Sequence, residues 1–262
     1  MHLPGCKPVF IADTCIGGLS VVRAMWRQGA AGHAVFMADY AVNPLGVKSD
    51  AEIASVVERW LGFARLHSET LVIACNTLSI RYHQLFDSIA PPGGMRQVVT
   101  MLDCLKAMAK IKAGHLAGKK VLVIGTAFTA GQSLYPDTLQ TALPRTRVAT
   151  VAATELERSI ARFQPVDSND TFVLTSELRQ AIGNTDVAIL ACTCFPMVKS
   201  MLQEQFPGVA FLDPGAYCTG LLPETVKTQD RLLKINVEGE VVSKERVIGF
   251  ARSYLGAGGK VS

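Results

Sequence analysis

The chain has 262 residues, 49% of them hydrophobic and 18% charged, with a formal net charge of +4. That balance excludes a disordered chain and leaves room for one large domain or two small ones. No apolar run reaches the ~18 residues needed to cross a bilayer, the first residues lack the basic-then-apolar order of a signal peptide, and no basic stripe interleaved with aromatics marks a nucleic-acid surface. A cytosolic protein with a small-molecule partner, and with neither a nucleic-acid nor a membrane partner, is the expectation.

In chain order, short aliphatic runs alternate with helical patterns. Strands are expected at 9–12 and 34–38, then a helix over 48–66 with Ile53, Val56, Val57, Trp60 and Phe63 at helical spacing. Strands follow at 70–74 and 98–101, and residues 111–118 read as a linker. Beyond it come a strand at 120–124, a helix over 133–143, a strand at 147–151, a helix over 155–163, and strands at 187–191 and 210–212. This alternation predicts an α/β fold with mostly parallel sheets. Several strands are apolar at every position, as they are when helices cover both faces.

The chain also repeats itself. Residues 7–14 (KPVFIADT) resemble 119–126 (KKVLVIGT), and 71–77 (LVIACNT) resemble 188–194 (AILACTC), in the same order and at nearly the same offset. Two related α/β domains with a pseudo-twofold relation follow, with 1–99 and 208–262 in the first and 100–207 in the second. Strand 210–212 and the C-terminal segments are expected to pack back onto the first half. Ligands of open α/β sheets bind at the carboxyl ends of strands. Cys75 and Cys192 each come directly after a strand of the repeated pair, and Asp13-Thr14 and Gly125-Thr126 hold the same kind of position. If the halves face each other, both cysteines look into one cleft from opposite sides. One thiol on each face of a carbon is what stereochemical inversion requires: one removes a proton while the other donates one.

The other cysteines have plainer readings. Seven are present, and an odd count in a chain of this kind argues against a disulfide framework. Cys6, Cys104 and Cys218 read as buried small hydrophobes. Cys192-x-Cys194 lacks the wider spacing and the second cluster of a structural zinc site, so no metal is expected. Gly17-Gly18 lacks both common phosphate-binding patterns. His33, His67, His83 and His115 read as surface or core residues.

Six segments in order resemble the cofactor-independent aspartate/glutamate racemases, glutamate racemase in particular. They are Phe10-Ile-Ala-Asp13-Thr14-Cys15-Ile-Gly17-Gly18-Leu-Ser20; Ala38-Asp39 with Asn43-Pro44-Leu45-Gly46-Val-Lys48-Ser49; Ile73-Ala-Cys75-Asn76-Thr77; Gly125-Thr126 through Ser133; Ala191-Cys192-Thr193-Cys194-Phe195-Pro196; and Phe211-Leu-Asp213-Pro-Gly. The resemblance implies two bases, Cys75 and Cys192, one for each enantiomer. It implies that Asp13 and Thr14 hold the substrate amino group, and that Asn76, Thr77 and Thr193 bind carboxylates. The Pro44-Leu45-Gly46 backbone would meet the distal carboxylate, and Thr126 and Cys194 complete the expected substrate-binding set. Glu155 matches a family glutamate near the second cysteine. Members use neither pyridoxal phosphate nor metal, so no cofactor is implied, and they commonly form homodimers.

Three departures stand out. The family's Asp-Ser-Gly is Asp13-Thr14-Cys15 here, its Pro-Tyr-Gly is Pro44-Leu45-Gly46, and the histidine beside the second cysteine is Cys194. Three outcomes fit: a racemase of glutamate or another amino acid, a dicarboxylate lyase or cis-trans isomerase of the same architecture, or a relative that only binds amino acids.

Overall fold

The apolar strands assemble into two sheets. A computed structural model describes residues 8–29, 32–86, 95–161, 174–223, 231–256 and 258–262. Its strands are β1 (Val9–Asp13), β2 (His33–Asp39), β3 (Thr70–Ile73), β4 (Gln97–Thr100), β5 (Lys120–Gly125), β6 (Arg147–Ala152), β7 (Val187–Ala191), β8 (Ala210–Leu212), β9 (Leu232–Glu238) and β10 (Lys260–Val261). One sheet has the order β10-β9-β2-β1-β3-β4, the other β6-β5-β7-β8. All pairings among the described residues are parallel. The run β2-β1-β3-β4 recurs as β6-β5-β7-β8, so each half carries the same winding, as the sequence repeat predicts. β1, β3 and β7 are buried along their whole length, which accounts for their unbroken apolar runs.

Two expectations need correction. Strand 210–212 does not return to the first half; it pairs with β7 at the edge of the second sheet. The return is made instead by β9, which aligns with all seven residues of β2 and was not anticipated. Only Leu233 and Ile235 of β9 are buried, so its apolar alternation is too brief to stand out between charged residues. Cys6, Lys7 and the end of the expected helix 155–163 lie outside the described residues.

The helices begin where local chemistry allows. Asp50–Arg65 opens on a reciprocal capping box between Ser49 and Glu52 and buries Ile53, Val57, Trp60 and Leu61. Met101–Ile111 leaves β4 directly through a second box between Thr100 and Asp103. Each box satisfies two otherwise orphaned backbone donors and contributes about 1 kcal/mol. Helices Asn76–Phe86 and Met101–Ile111 tie the halves together: Ile80, Leu102, Leu105 and Met108 share one apolar cluster with Val121, Val123, Tyr135 and Ile189. The strand ends of the two sheets are thereby held against each other.

Candidate active site

In a β2-β1-β3-β4 sheet the winding reverses between β1 and β3, and the crevice beyond their carboxyl ends is the natural ligand position. β1 ends on Asp13. Its neighbour β3 stays in register through Ala12 and Ile73, the Ala74 N–H donates to the Ala12 carbonyl at 2.8 Å, and Cys75 follows. In the second sheet Gly125 aligns with Ala191, so Thr126 and Cys192 emerge side by side in the same way. The two crevices meet, since the Thr193 hydroxyl donates to Asp13 Oδ2 at 2.9 Å.

Cys75 sits at the N-terminus of helix Asn76–Phe86 and keeps 7% of its surface exposed. Burial, then the nearby Asp13 charge, pushes its thiol well above the ordinary range, opposed by the Leu78 N–H directed at the sulfur. The Thr14 hydroxyl lies 3.9 Å from the sulfur. The Ser79 hydroxyl braces the turn, donating to the Cys75 carbonyl at 2.8 Å and accepting from the Met101 N–H at 2.9 Å.

Cys192 is 8% exposed. With the Asn76 amide turned so that each end meets a complementary group, its oxygen lies 3.3 and 3.2 Å from the backbone N–H groups of Cys192 and Thr193, and its nitrogen donates to the Tyr135 hydroxyl at 2.5 Å. The residue after the first cysteine therefore fixes the peptide of the second. Asn76 was expected to bind a carboxylate; most of its hydrogen-bonding capacity is used inside the protein. Replacing Asn76 by alanine leaves two buried N–H groups and a buried phenol short of partners. The expected cost is about 1–3 kcal/mol, to be read as a lowered urea midpoint at unchanged m-value.

Asp13 is 1% exposed. Burial raises its carboxyl to about 7, against the Thr193 hydroxyl and the backbone bonds from Thr14 and Gly18. At neutral pH it stands between its two forms, and an arriving cation tips it to the carboxylate. Gly17 makes this closeness possible. A Cβ there would lie 2.5 Å from Thr193 Oγ1, 2.8 Å from Asp13 Oδ2 and 3.0 Å from the Cys194 backbone nitrogen.

On the other side, the hydroxyls of Thr77, Thr126 and Thr129 form a triangle with edges of 3.4, 3.5 and 3.2 Å. Thr126 also caps helix Ala127–Ala130. Thr129, which sequence reading missed, lies one helical turn from Thr126, and that spacing was the available signal. Three hydroxyls beside a helix N-terminus suit an anionic group. The turn at 44–46 abuts this cluster: a Cβ on Gly46 would lie 3.0 Å from Phe128 Cβ. The Leu45 side chain is buried in the core, so Leu45 can offer a ligand only its backbone. The Asn43 amide donates to the Thr14 carbonyl at 2.9 Å and binds this turn to the β1 end.

One acidic residue differs from its expected place, and a second lies where none was expected. Glu155 points outward and pairs with Arg158 at 2.6 Å. Glu157, two residues on, faces inward; its carboxylate lies within 4.8 Å of the sulfurs of Cys15 and Cys194. Asp39 is buried, paired with Arg59 and accepting from Trp60 Nε1 at 2.7 Å, a structural anchor at the end of β2. Cys194 is fully buried, its sulfur 3.5 Å from that of Cys15.

This constellation can be compared with known proteins. The profile of the Asp/Glu/Hydantoin racemase family matches residues 29–220. The chain belongs to that family. Glutamate racemase of Streptococcus equi subsp. equi is 28% identical over 222 residues, covering 81% of this chain and 78% of that protein. Glutamate racemase of Syntrophus aciditrophicus is 29% identical over 204 residues, covering 77% and 73%. Among solved structures, glutamate racemase from Campylobacter jejuni aligns with a TM-score of 0.74 at 22% identity, over 95% of this chain and 98% of that one. The Francisella tularensis enzyme in complex with D-glutamate aligns at 0.67 and 18% identity, over 97% and 95%. At such identities the structural likeness speaks for the fold, and the chemistry must be argued from the residues.

Proposed function

We propose that this protein is a cofactor-independent amino-acid racemase, with glutamate as the first candidate substrate and Cys75 and Cys192 as opposed bases. The observation that carries this reading is the pairing itself: two slightly exposed thiols follow equivalent strands, β3 and β7, of two equally wound sheets whose crevices meet at Asp13 and Thr193. The relatives named above are glutamate racemases, which supports the choice of substrate. Leu45, Cys15 and Cys194 are the departures that favour a different amino acid if glutamate fails.

In this reading Asp13 receives the α-ammonium group, and the charge it brings favours both the Asp13 carboxylate and the neighbouring thiolate. Thr77, Thr126, Thr193 and the 44–46 backbone hold carboxylates. Donors already in place at the α-carboxylate stabilise the negative charge that builds up as the α-proton leaves. One cysteine takes that proton as thiolate. The other, as thiol, protonates the opposite face, and the roles reverse for the other enantiomer. Two domains, meeting at this cleft and rejoined by β9, a cytosolic location and a homodimer belong to the same proposal; the last two rest on the family resemblance.

Chiral chromatography tests the proposal. Either enantiomer of glutamate should be converted to an equal mixture, without added cofactor. Full retention of configuration for glutamate, with turnover of another amino acid, would move the substrate. The pH profile gives a second expectation. Because Asp13 must be ionised to hold the ammonium group, kcat/KM should fall with unit slope as pH drops below about 7, and D13N should remove that limb along with most of the activity.

A further inference from the structure

We propose that Cys15, Cys194 and Glu157 form a binding site for a thiophilic divalent cation of the zinc class, on the loop that also carries Cys192. The three ligand atoms come from distant parts of the chain: the turn after β1, the loop after β7 and helix Thr154–Ala161. All lie within 4.8 Å of one another, and the two sulfurs are 3.5 Å apart. With metal–sulfur bonds of ~2.3 Å, the edge of a tetrahedral site is about 3.8 Å. The sulfurs thus already stand close to the separation that a shared ion requires, whereas a disulfide would need them to close to ~2.05 Å. Two thiolates and a carboxylate are a donor set that suits zinc and its neighbours.

The surroundings favour a cation. The charges that weigh most on Cys15 are those of Asp13, Glu157 and Cys192, and on Cys194 those of Cys15 and Cys192, all acids. The Gly17 N–H donates to Cys15 Sγ at 3.4 Å, a support that orients a ligand sulfur. Three protein ligands leave a fourth position open. Cys194 follows Cys192 by two residues, so drawing its sulfur to a cation would shift the loop that carries one of the two bases. The chain positions themselves argue for the site: Cys15 and Cys194 are two of the three departures from the family pattern, and they meet. No metal was expected, since nothing along the chain shows that residue 15 touches residue 194.

The inhibitory consequence rests on the racemase reading; binding does not, and it is measured without substrate. Full-length protein, stripped with a chelator and kept reduced with a phosphine, is titrated with Co²⁺, and Zn²⁺ is then used as competitor. One equivalent should bind per chain with a thiolate charge-transfer band. C15A should abolish the band, and E157Q, which keeps the side-chain shape, should weaken zinc binding at least about tenfold. C104A, at the separate Cys104–Cys218 contact, should bind as the unaltered protein does. Thermal midpoints without metal show which variants are folded. No thiolate band, a band that survives in folded C15A, or one lost in C104A would overturn the site. One equivalent of zinc should lower racemisation at least tenfold, reversibly with chelator. Racemisation by protein that shows no band would sink the site and leave the racemase; a band on protein that racemises nothing would do the reverse.

Discussion

Replacing Cys75 by alanine is expected to lower racemisation of either enantiomer by at least about 10³-fold, and Cys192→Ala by a similar factor. A positioned acid or base contributes about 10²–10⁴-fold, and inversion needs both groups in every turnover, so neither loss can be confined to one direction. A 10³-fold loss is about 4 kcal/mol of transition-state stabilisation. Ligand affinity should change far less, because the contacts assigned to the amino and carboxylate groups come from Asp13, the threonines and the 44–46 backbone. The single variants should also differ in a second readout. Each keeps one thiol and should still exchange the α-proton of the enantiomer that this thiol faces, with retention of configuration. Racemisation that survives in Cys75→Ala would remove the two-thiol mechanism. A protein that binds amino acids equally well with and without its cysteines, and never turns them over, would be a binding relative.

Gly17→Ala is the second large effect. The added methyl meets Thr193 Oγ1 at 2.5 Å, Asp13 Oδ2 at 2.8 Å and the backbone nitrogen of Cys194 at 3.0 Å. Real Cβ atoms do not come closer than about 3.0 Å, so the Thr193 and Asp13 side chains must both give way, and the Cys194 backbone nitrogen at 3.0 Å leaves the methyl little room to move aside. Overpacking of this kind costs about 1–3 kcal/mol. The activity loss should be larger than the stability loss suggests. The shift parts Asp13 from Thr193 and moves the Cys192 loop, and a displacement of about 1 Å in a reacting group can cost 10²-fold. The expected result is a folded protein with a Tm lower by several degrees and kcat reduced about a hundredfold. Gly62 provides the control: it lies inside helix Asp50–Arg65 with nothing within 4 Å of a Cβ built there, so Gly62→Ala should leave kcat unchanged and raise stability by about 1 kcal/mol.

These positions also show which parts of the protein could be read in advance. The strand-end cysteines, Asp13 and the duplicated winding were legible because each depends on local pattern: an apolar run followed by a polar strand end, twice. β9 was not, since it carries only two buried side chains and its place is decided by pairing with β2. Strand 210–212 was assigned to the wrong sheet because three residues contain no information about their neighbour. Within the site, the Asn76–Tyr135 bond, the Cys15–Cys194 contact and the inward turn of Glu157 are all long-range. Glu155 looked suitable by alignment, yet helical geometry points residues two apart in different directions. Gly17 was visible as half of a glycine pair, but the crowding that demands it came from Thr193 and Cys194, far along the chain.

The central claim is that Cys75 and Cys192 invert an amino acid's α-carbon by taking a proton from one face and delivering one to the other. Incubating the protein in deuterium oxide with single enantiomers of glutamate, and then of the other common amino acids, tests it most directly. The inverted product should carry deuterium at the α-carbon from the first turnover, with no cofactor supplied. Neither α-deuterium exchange nor a change of configuration with any of these substrates would contradict it.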